Sequence, residues 1–271
     1  DRGAQRRAAA HGHAAEHPMG CAGGDVKASW FVGPAVVAAI VGAWFALTGL
    51  GLVPDNRLPA PMQVADEFAD EPEEILGYVG ETVLRVSAGF ALGLVAGVAV
   101  ALLTSLMPRF GDMLGPAVQV LRSIPPFVLA PFVLLWFGLA FRGPVLFVAW
   151  TTFFIVLIDS IEALRNVPRG HKWAAASLGA SQVQRVIRVE LPAIVPGIIG
   201  GMRIALVGGM NVVVLYELLT GSNGIGYMLI RGYQLFRLET LFAAVILAVV
   251  VTLALDRVVR GGSRYAVRWM P

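Results

Sequence analysis

The chain has 271 residues, of which 57% are hydrophobic and only 14% charged, with a formal charge of +3. A soluble domain of this size carries about 25% charged residues, so this composition excludes a disordered chain and argues against an ordinary water-soluble enzyme. A single cysteine, Cys21, permits no intrachain disulfide and no cysteine-built metal site.

The length predicts one domain. Residues 1–28 are polar, carry His11, His13 and His17, and read as a disordered cytoplasmic tail. The uncharged run 30–53 is long enough to cross a bilayer as a helix. Pro54, Pro59 and Pro61 break the chain after it. Residues 62–76 then combine Asp66, Glu67, Asp70, Glu71, Glu73 and Glu74 with apolar positions, which predicts a short helix lying on a surface. A second span is predicted over 82–107, where Gly89, Gly93 and Gly97 recur every four residues and offer one helix face for close packing. A third, 113–139, is interrupted by Arg122, Pro125, Pro126 and Pro131. Such a break is tolerated in a membrane only beside protein or a water-filled cavity, which points to a pathway-lining helix. Further spans are predicted over 144–161, 191–219 and 241–255, making about six transmembrane helices in an all-α membrane protein spanning 29–265, with a cytoplasmic C-terminus at 266–271.

Charge sets the orientation. Fourteen of the 21 Lys and Arg fall on the side of the two chain ends and of residues 162–190, and four on the other. The basic side is cytoplasmic by the positive-inside rule. Segment 165–190 is too charged to span and reads as two short helices. The first closes at Gly179, a left-handed cap, and the second opens at Ser181 with Gln184 three residues on, a capping box. Val183, Val186 and Ile187 are expected on one apolar face, and Pro192 in the first turn of the next span.

This segment resembles the coupling motif of ABC importer permeases: Glu-Ala-Ala, three residues, Gly, nine residues, Ile-x-Leu-Pro. Here Trp173-Ala174-Ala175, Gly179 followed by Ala180 and Ser181, and Val189-x-Leu191-Pro192 keep the spacing, with Trp173 in place of Glu and Val189 in place of Ile. Leu58 to Pro61, Leu121 to Gly138, Arg165 to Pro168 and Ser222 to Tyr227 look like the nitrate/sulfonate/taurine/bicarbonate branch. The resemblance implies the type I importer fold and a bacterial-type inner-membrane location. It also implies a second permease chain, two ATPase subunits holding ATP and Mg, and an extracytoplasmic binding protein. No cofactor is expected on this chain and no nucleic acid as partner. No Gly-rich phosphate loop ending in Gly-Lys-Ser/Thr is present in the sequence, which assigns ATP hydrolysis to a partner.

Ionisable or polar groups inside spans are costly and mark function by default. Arg122, Arg203, Asn211 and Glu217, with Pro125 and Pro126, are the candidates for lining the pathway. Arg122 or Arg203 would attract an anionic solute; alternatively Arg203 forms an internal salt bridge with Glu217 or Glu190. The glycine-rich 221–226 segment is expected to be a gate or a docking surface. The competing functional readings are an ATP-independent channel or secondary transporter, and a membrane-embedded enzyme. The enzyme reading lacks a catalytic constellation, because all four histidines lie outside the predicted spans.

Overall fold

Prolines divide this chain into helices. The computed structural model describes residues 26–54, 56–138 and 141–266. The described residues form α1 (Val26–Gly49), α2 (Pro61–Asp70), α3 (Pro72–Leu106), α4 (Pro108–Arg122), α5 (Pro126–Phe137) and α6 (Arg142–Asn166), then α7 (Arg169–Ser177), α8 (Gln182–Arg185), α9 (Leu191–Thr220), α10 (Ile225–Gln234) and α11 (Leu238–Ala266). Proline opens the first turn of α2, α3, α4 and α5, where its missing N–H costs nothing. Of the predicted tail, residues 1–25 lie outside the described residues, as do the last five residues of the chain, whereas 26–28 are helical and open α1.

Among the described residues, four helices are long and apolar enough to cross a membrane: 72–106, 142–166, the continuous run 182–220, and 238–263. The pair α4 and α5 makes a fifth if counted as one crossing bent by 90°. The apolar part of α1, Gly33–Gly49, is shorter than these.

Small residues set the packing of the bundle. A Cβ added at Gly89 would lie 2.6 Å from the Val145 carbonyl, one at Gly93 2.5 Å from the Ala149 carbonyl, and one at Gly97 3.0 Å from that of Phe153. The predicted glycine face therefore packs directly on the α6 backbone. The partners climb in step along both helices, so α3 and α6 run parallel. Parallel neighbours need a return crossing between them, and α4–α5 supplies it. On the other side of α6, Gly197 meets Ala163 and Gly209 meets Val148, so α9 runs antiparallel. The α3–α6–α9 core is filled by Phe154, Val156, Leu157, Ile194 and Ala205.

Three boundaries differ from expectation. The acidic stretch is two elements, because Pro72 starts α3 ten residues before the predicted 82. Glu73 and Glu74 sit in the first turn of α3, where the helix dipole favours them. The third apolar stretch is two helices, and the turn at Ser123 to Pro125 satisfies its own backbone: Ser123 N–H donates to Val120 and Ile124 N–H to Leu121. Finally, Pro192 does not begin a separate helix. A π turn at Val186–Glu190 joins α8 to α9, and Leu191 N–H reaches back to the Val186 carbonyl. Proline lacks a donor and its ring crowds the carbonyl four residues back; widening the preceding turn relieves both.

Candidate functional site

The segment α7–α8 is a helical hairpin at the end of the bundle where α3 finishes. Gly179 takes φ +80°, a conformation open to glycine at little cost. Its N–H donates to the Ala176 carbonyl and that of Ala180 to the Ala175 carbonyl, while Leu178 N–H donates to Ala174. This is the Schellman closure of α7. Ser181 N–H then donates to Gln184 Oε1 at 2.9 Å and Ser181 Oγ accepts from Gln184 N–H at 3.3 Å, the capping box read from the sequence. Gln182 Nε2 donates to the Leu106 carbonyl at 2.8 Å, which ties the hairpin to the last turn of α3. Lys172 pairs with buried Glu190 at 3.5 Å.

This bracing holds apolar side chains outward. Trp173 is 67% exposed and Leu178 88%, with Val183 and Ile187 more than half exposed. Val186 is buried, so the predicted three-residue apolar face is divided: one member turns inward and two point out. Beside the hairpin a cavity of about 940 Å³ opens between α4 and the α6–α7 junction. Asp112, Gln119, Glu162, Arg165, Asn166 and Lys172 are among its lining residues. The sequence reading does not single out Asp112 or Gln119; their signal is the spacing of Arg109, Asp112, Gln119 and Arg122 along α4, only the later part of which falls in the predicted span 113–139.

The candidate pathway residues do not converge on one point. Arg122 and Pro126 border a recess of about 240 Å³ against α6, with Pro125 at the start of α5. Asn211 is exposed on α9 in a groove shared with α11. Arg203 pairs with neither Glu217 nor Glu190. Its Nε lies 2.7 Å from Asp256 Oδ1 on α11, because antiparallel packing sets those two positions level.

Glu217 belongs to a buried node at the opposite end of the bundle. Arg85 Nη1 donates to its Oε1 at 2.8 Å, Thr82 Oγ1 lies 2.9 Å from both oxygens, and Gly226 N–H donates to Oε2 at 3.1 Å. Arg85 also donates to the Asn223 carbonyl, and Thr82 Oγ1 accepts from Ile225 N–H. The carboxylate thus sits at the N-terminus of α10, where backbone donors favour an anion. A Cβ at Gly224 would fall on the Glu217 carboxylate. Segment 221–226, expected to be a gate or a docking surface, is held from beneath by this node.

The acidic stretch around α2 closes the same end. Glu67 accepts from Arg237 at 2.8 Å and from Thr240 at 2.6 Å, and Arg231 reaches Glu74 at 2.6 Å. Hydrogen bonding to Glu74, and its charge, push the Glu71 carboxyl above the ordinary carboxylate value.

A parallel–antiparallel core of long apolar helices with a braced, outward-facing hairpin at one end is the architecture of a multi-pass membrane protein. The chain belongs to the family of binding-protein-dependent transport system inner membrane components, which matches residues 89–265. It is 30% identical over 248 residues to a Bacillus subtilis protein named as an aliphatic sulfonates transport permease, covering 91% of this chain and 90% of that one. It is 24% identical to the taurine transport system permease protein of Escherichia coli, covering 86% and 87%. The fold is similar to the inward-facing MetNI methionine ABC transporter, with TM-score 0.55 at 23% identity, covering 69% of this chain and 95% of that one. It is also similar to an amino acid ABC transporter, with TM-score 0.57 at 17% identity, covering 73% and 97%. The protein is a permease subunit of an ABC importer. Permease components of such importers are not themselves ATPases.

Proposed function

We propose that this permease moves a small anionic solute from an extracytoplasmic binding protein into the cytoplasm, driven by a separate ATPase that docks on the hairpin α7–α8. The observation that carries the reading is the pairing of a rigid frame with outward apolar side chains. Trp173, Leu178, Val183 and Ile187 are exposed on a hairpin whose ends are capped and whose base is pinned to α3. Exposed apolar patches that are held rigidly mark binding surfaces. In this reading the coupling segment is 165–190, centred on Trp173 to Ala175, Gly179 to Ser181, and Leu191–Pro192. ATP and Mg bind at the partner.

The basic end of the bundle faces the cytoplasm by the positive-inside rule, so both chain ends lie there and α2 and α10 face the binding protein. The cavity beside the hairpin is half of the inward-facing pathway, the other half coming from a second permease chain. Arg165, Arg169 and Lys172 on its wall suit an anion, and two relatives are named for sulfonates and taurine.

The test is to extract the tagged full chain gently from its native host and determine by mass spectrometry which subunits accompany it and in what ratio. Two permease and two ATPase chains are expected. Recovery without any ATPase, under conditions that keep other importers intact, would defeat the coupling assignment and favour an ATP-independent transporter.

A further inference from the structure

The outward side of α9 and α11 carries a feature used by neither the hairpin nor the Glu217 node. Arg203 and Arg260 grip one carboxylate: Arg203 donates to both oxygens of Asp256 at 2.7 and 3.3 Å, and Arg260 donates to Oδ2 at 2.8 Å. Arg257, exposed beside them, makes no ion pair with a described residue. Two cations on one carboxylate, with Arg257 next to it in the chain, leave a local charge of +2. Asp256 orients two of the guanidinium groups, while both remain nearly half exposed with N–H donors to spare.

A cavity of about 390 Å³ opens at this charged end, lined by Leu253, Asp256, Arg257 and Arg260. Leu253 also walls a second groove of about 370 Å³ between α9 and α11, whose other sides include Val207, Val214 and Val249. Val214 lies about 16 Å along α9 from Arg203 at 1.5 Å per residue. The two hollows meet at Leu253, one cationic and the other mostly apolar, with Asn211 and Thr252 as its polar members. Guanidinium groups match phosphate oxygens in geometry and charge, and basic clusters at a helix end attract anionic headgroups.

We propose that this pair of hollows binds an anionic glycerophospholipid, with the phosphate at Arg257 and Arg260 and one acyl chain along the α9–α11 groove. The charge excess favours a lipid over a second copy of this chain, which would bring the same cations to the same place.

The experiment uses the full chain, extracted with whatever subunits accompany it, and native mass spectrometry. Its probes are palmitoyl-oleoyl phosphatidylglycerol, the phosphatidylcholine with identical chains, and glycerol 3-phosphate. Phosphatidylglycerol is expected to be retained about tenfold more than phosphatidylcholine. Combining Arg257→Gln with Arg260→Gln should abolish that preference with the melting temperature unchanged, and Val249→Trp should reduce retention of both lipids. Equal retention of the two lipids by the unsubstituted chain would overturn the proposal. Displacement of phosphatidylglycerol by glycerol 3-phosphate at similar concentration would overturn it in favour of a soluble phosphate. An interchain disulfide formed by V249C in a C21S background would overturn it in favour of a second copy.

Discussion

Glu217 on α9 and Arg85 on α3 face each other at 2.8 Å, with Glu217 fully buried and the Arg85 side chain only 7% exposed. Arg85 also pairs with Glu81 at 3.1 Å on its own helix, so loss of Arg85 leaves the more isolated charge. Breaking a buried pair costs about 3–5 kcal/mol, whereas replacing both members with apolar groups of similar size is often close to neutral. Glu217→Gln and Arg85→Met are therefore each expected to lower the melting temperature in detergent, and Arg85→Met with Glu217→Leu to recover much of the loss. Thermal unfolding of the two singles and the double gives the coupling. Additive losses would mean that the pair does not act as a unit.

Gly93 makes a similar demand by contact alone. The nearest obstacle to a Cβ there is the Ala149 carbonyl at 2.5 Å, and a backbone atom cannot swing aside as a side chain would. Gly93→Ala should cost about 1–3 kcal/mol by forcing α3 away from α6. Gly80→Ala, with no atom within 4 Å, should be neutral or slightly stabilising through helix propensity. Parallel melting curves of the two variants test the contrast.

These features differ in how far the sequence disclosed them. The glycine face of α3, the Gly179 cap and the Ser181–Gln184 box were legible because each depends on residues within a turn or two. The Arg85–Glu217 pair was not, since its members are 132 positions apart and meet only once α3 and α9 are packed. The partner of Arg203 has the same origin: the sequence offered Glu217 and Glu190 by type, and only the antiparallel register of α9 and α11 brings up Asp256. The bend between α4 and α5 was visible as prolines, but its 90° angle was not, since prolines mark a break without fixing its angle. Membrane composition also blurs boundaries, because apolar residues facing lipid and core look alike; Pro72 was the better guide to where α3 begins.

Trp173 stands where the family resemblance leads one to expect a carboxylate, and it is two-thirds exposed. Exposed tryptophans on rigid surfaces are frequent binding anchors, with losses on truncation of about 2 kcal/mol or more. Trp173→Ala is expected to weaken binding of the ATPase by about thirtyfold while leaving the melting temperature of the permease alone unchanged. Trp173→Glu should weaken it too, since an ATPase fitted to an indole would have to bury an unpaired charge. Titration of the purified ATPase against each variant in nanodiscs measures this. Unaltered affinity in both would place the contact elsewhere on the hairpin.

Gly179 separates backbone conformation from surface chemistry. Nothing lies within 4 Å of the position a Cβ would take, and its φ is +80°, so Gly179→Ala carries only the left-handed backbone cost, about 1 kcal/mol. That is too little to open a hairpin held by the Ser181–Gln184 box and the Gln182–Leu106 contact. ATP-driven uptake by Gly179→Ala should therefore fall modestly. Gly179→Asp adds a charge to the exposed turn between Leu178 and Ala180, where an apolar partner surface would have to desolvate it. It should abolish ATPase capture and uptake while membrane insertion and melting remain as in the alanine variant. Uptake assays with both variants, read against the amount of each in the membrane, discriminate the two effects. Normal uptake with Gly179→Asp would remove the hairpin from the coupling route.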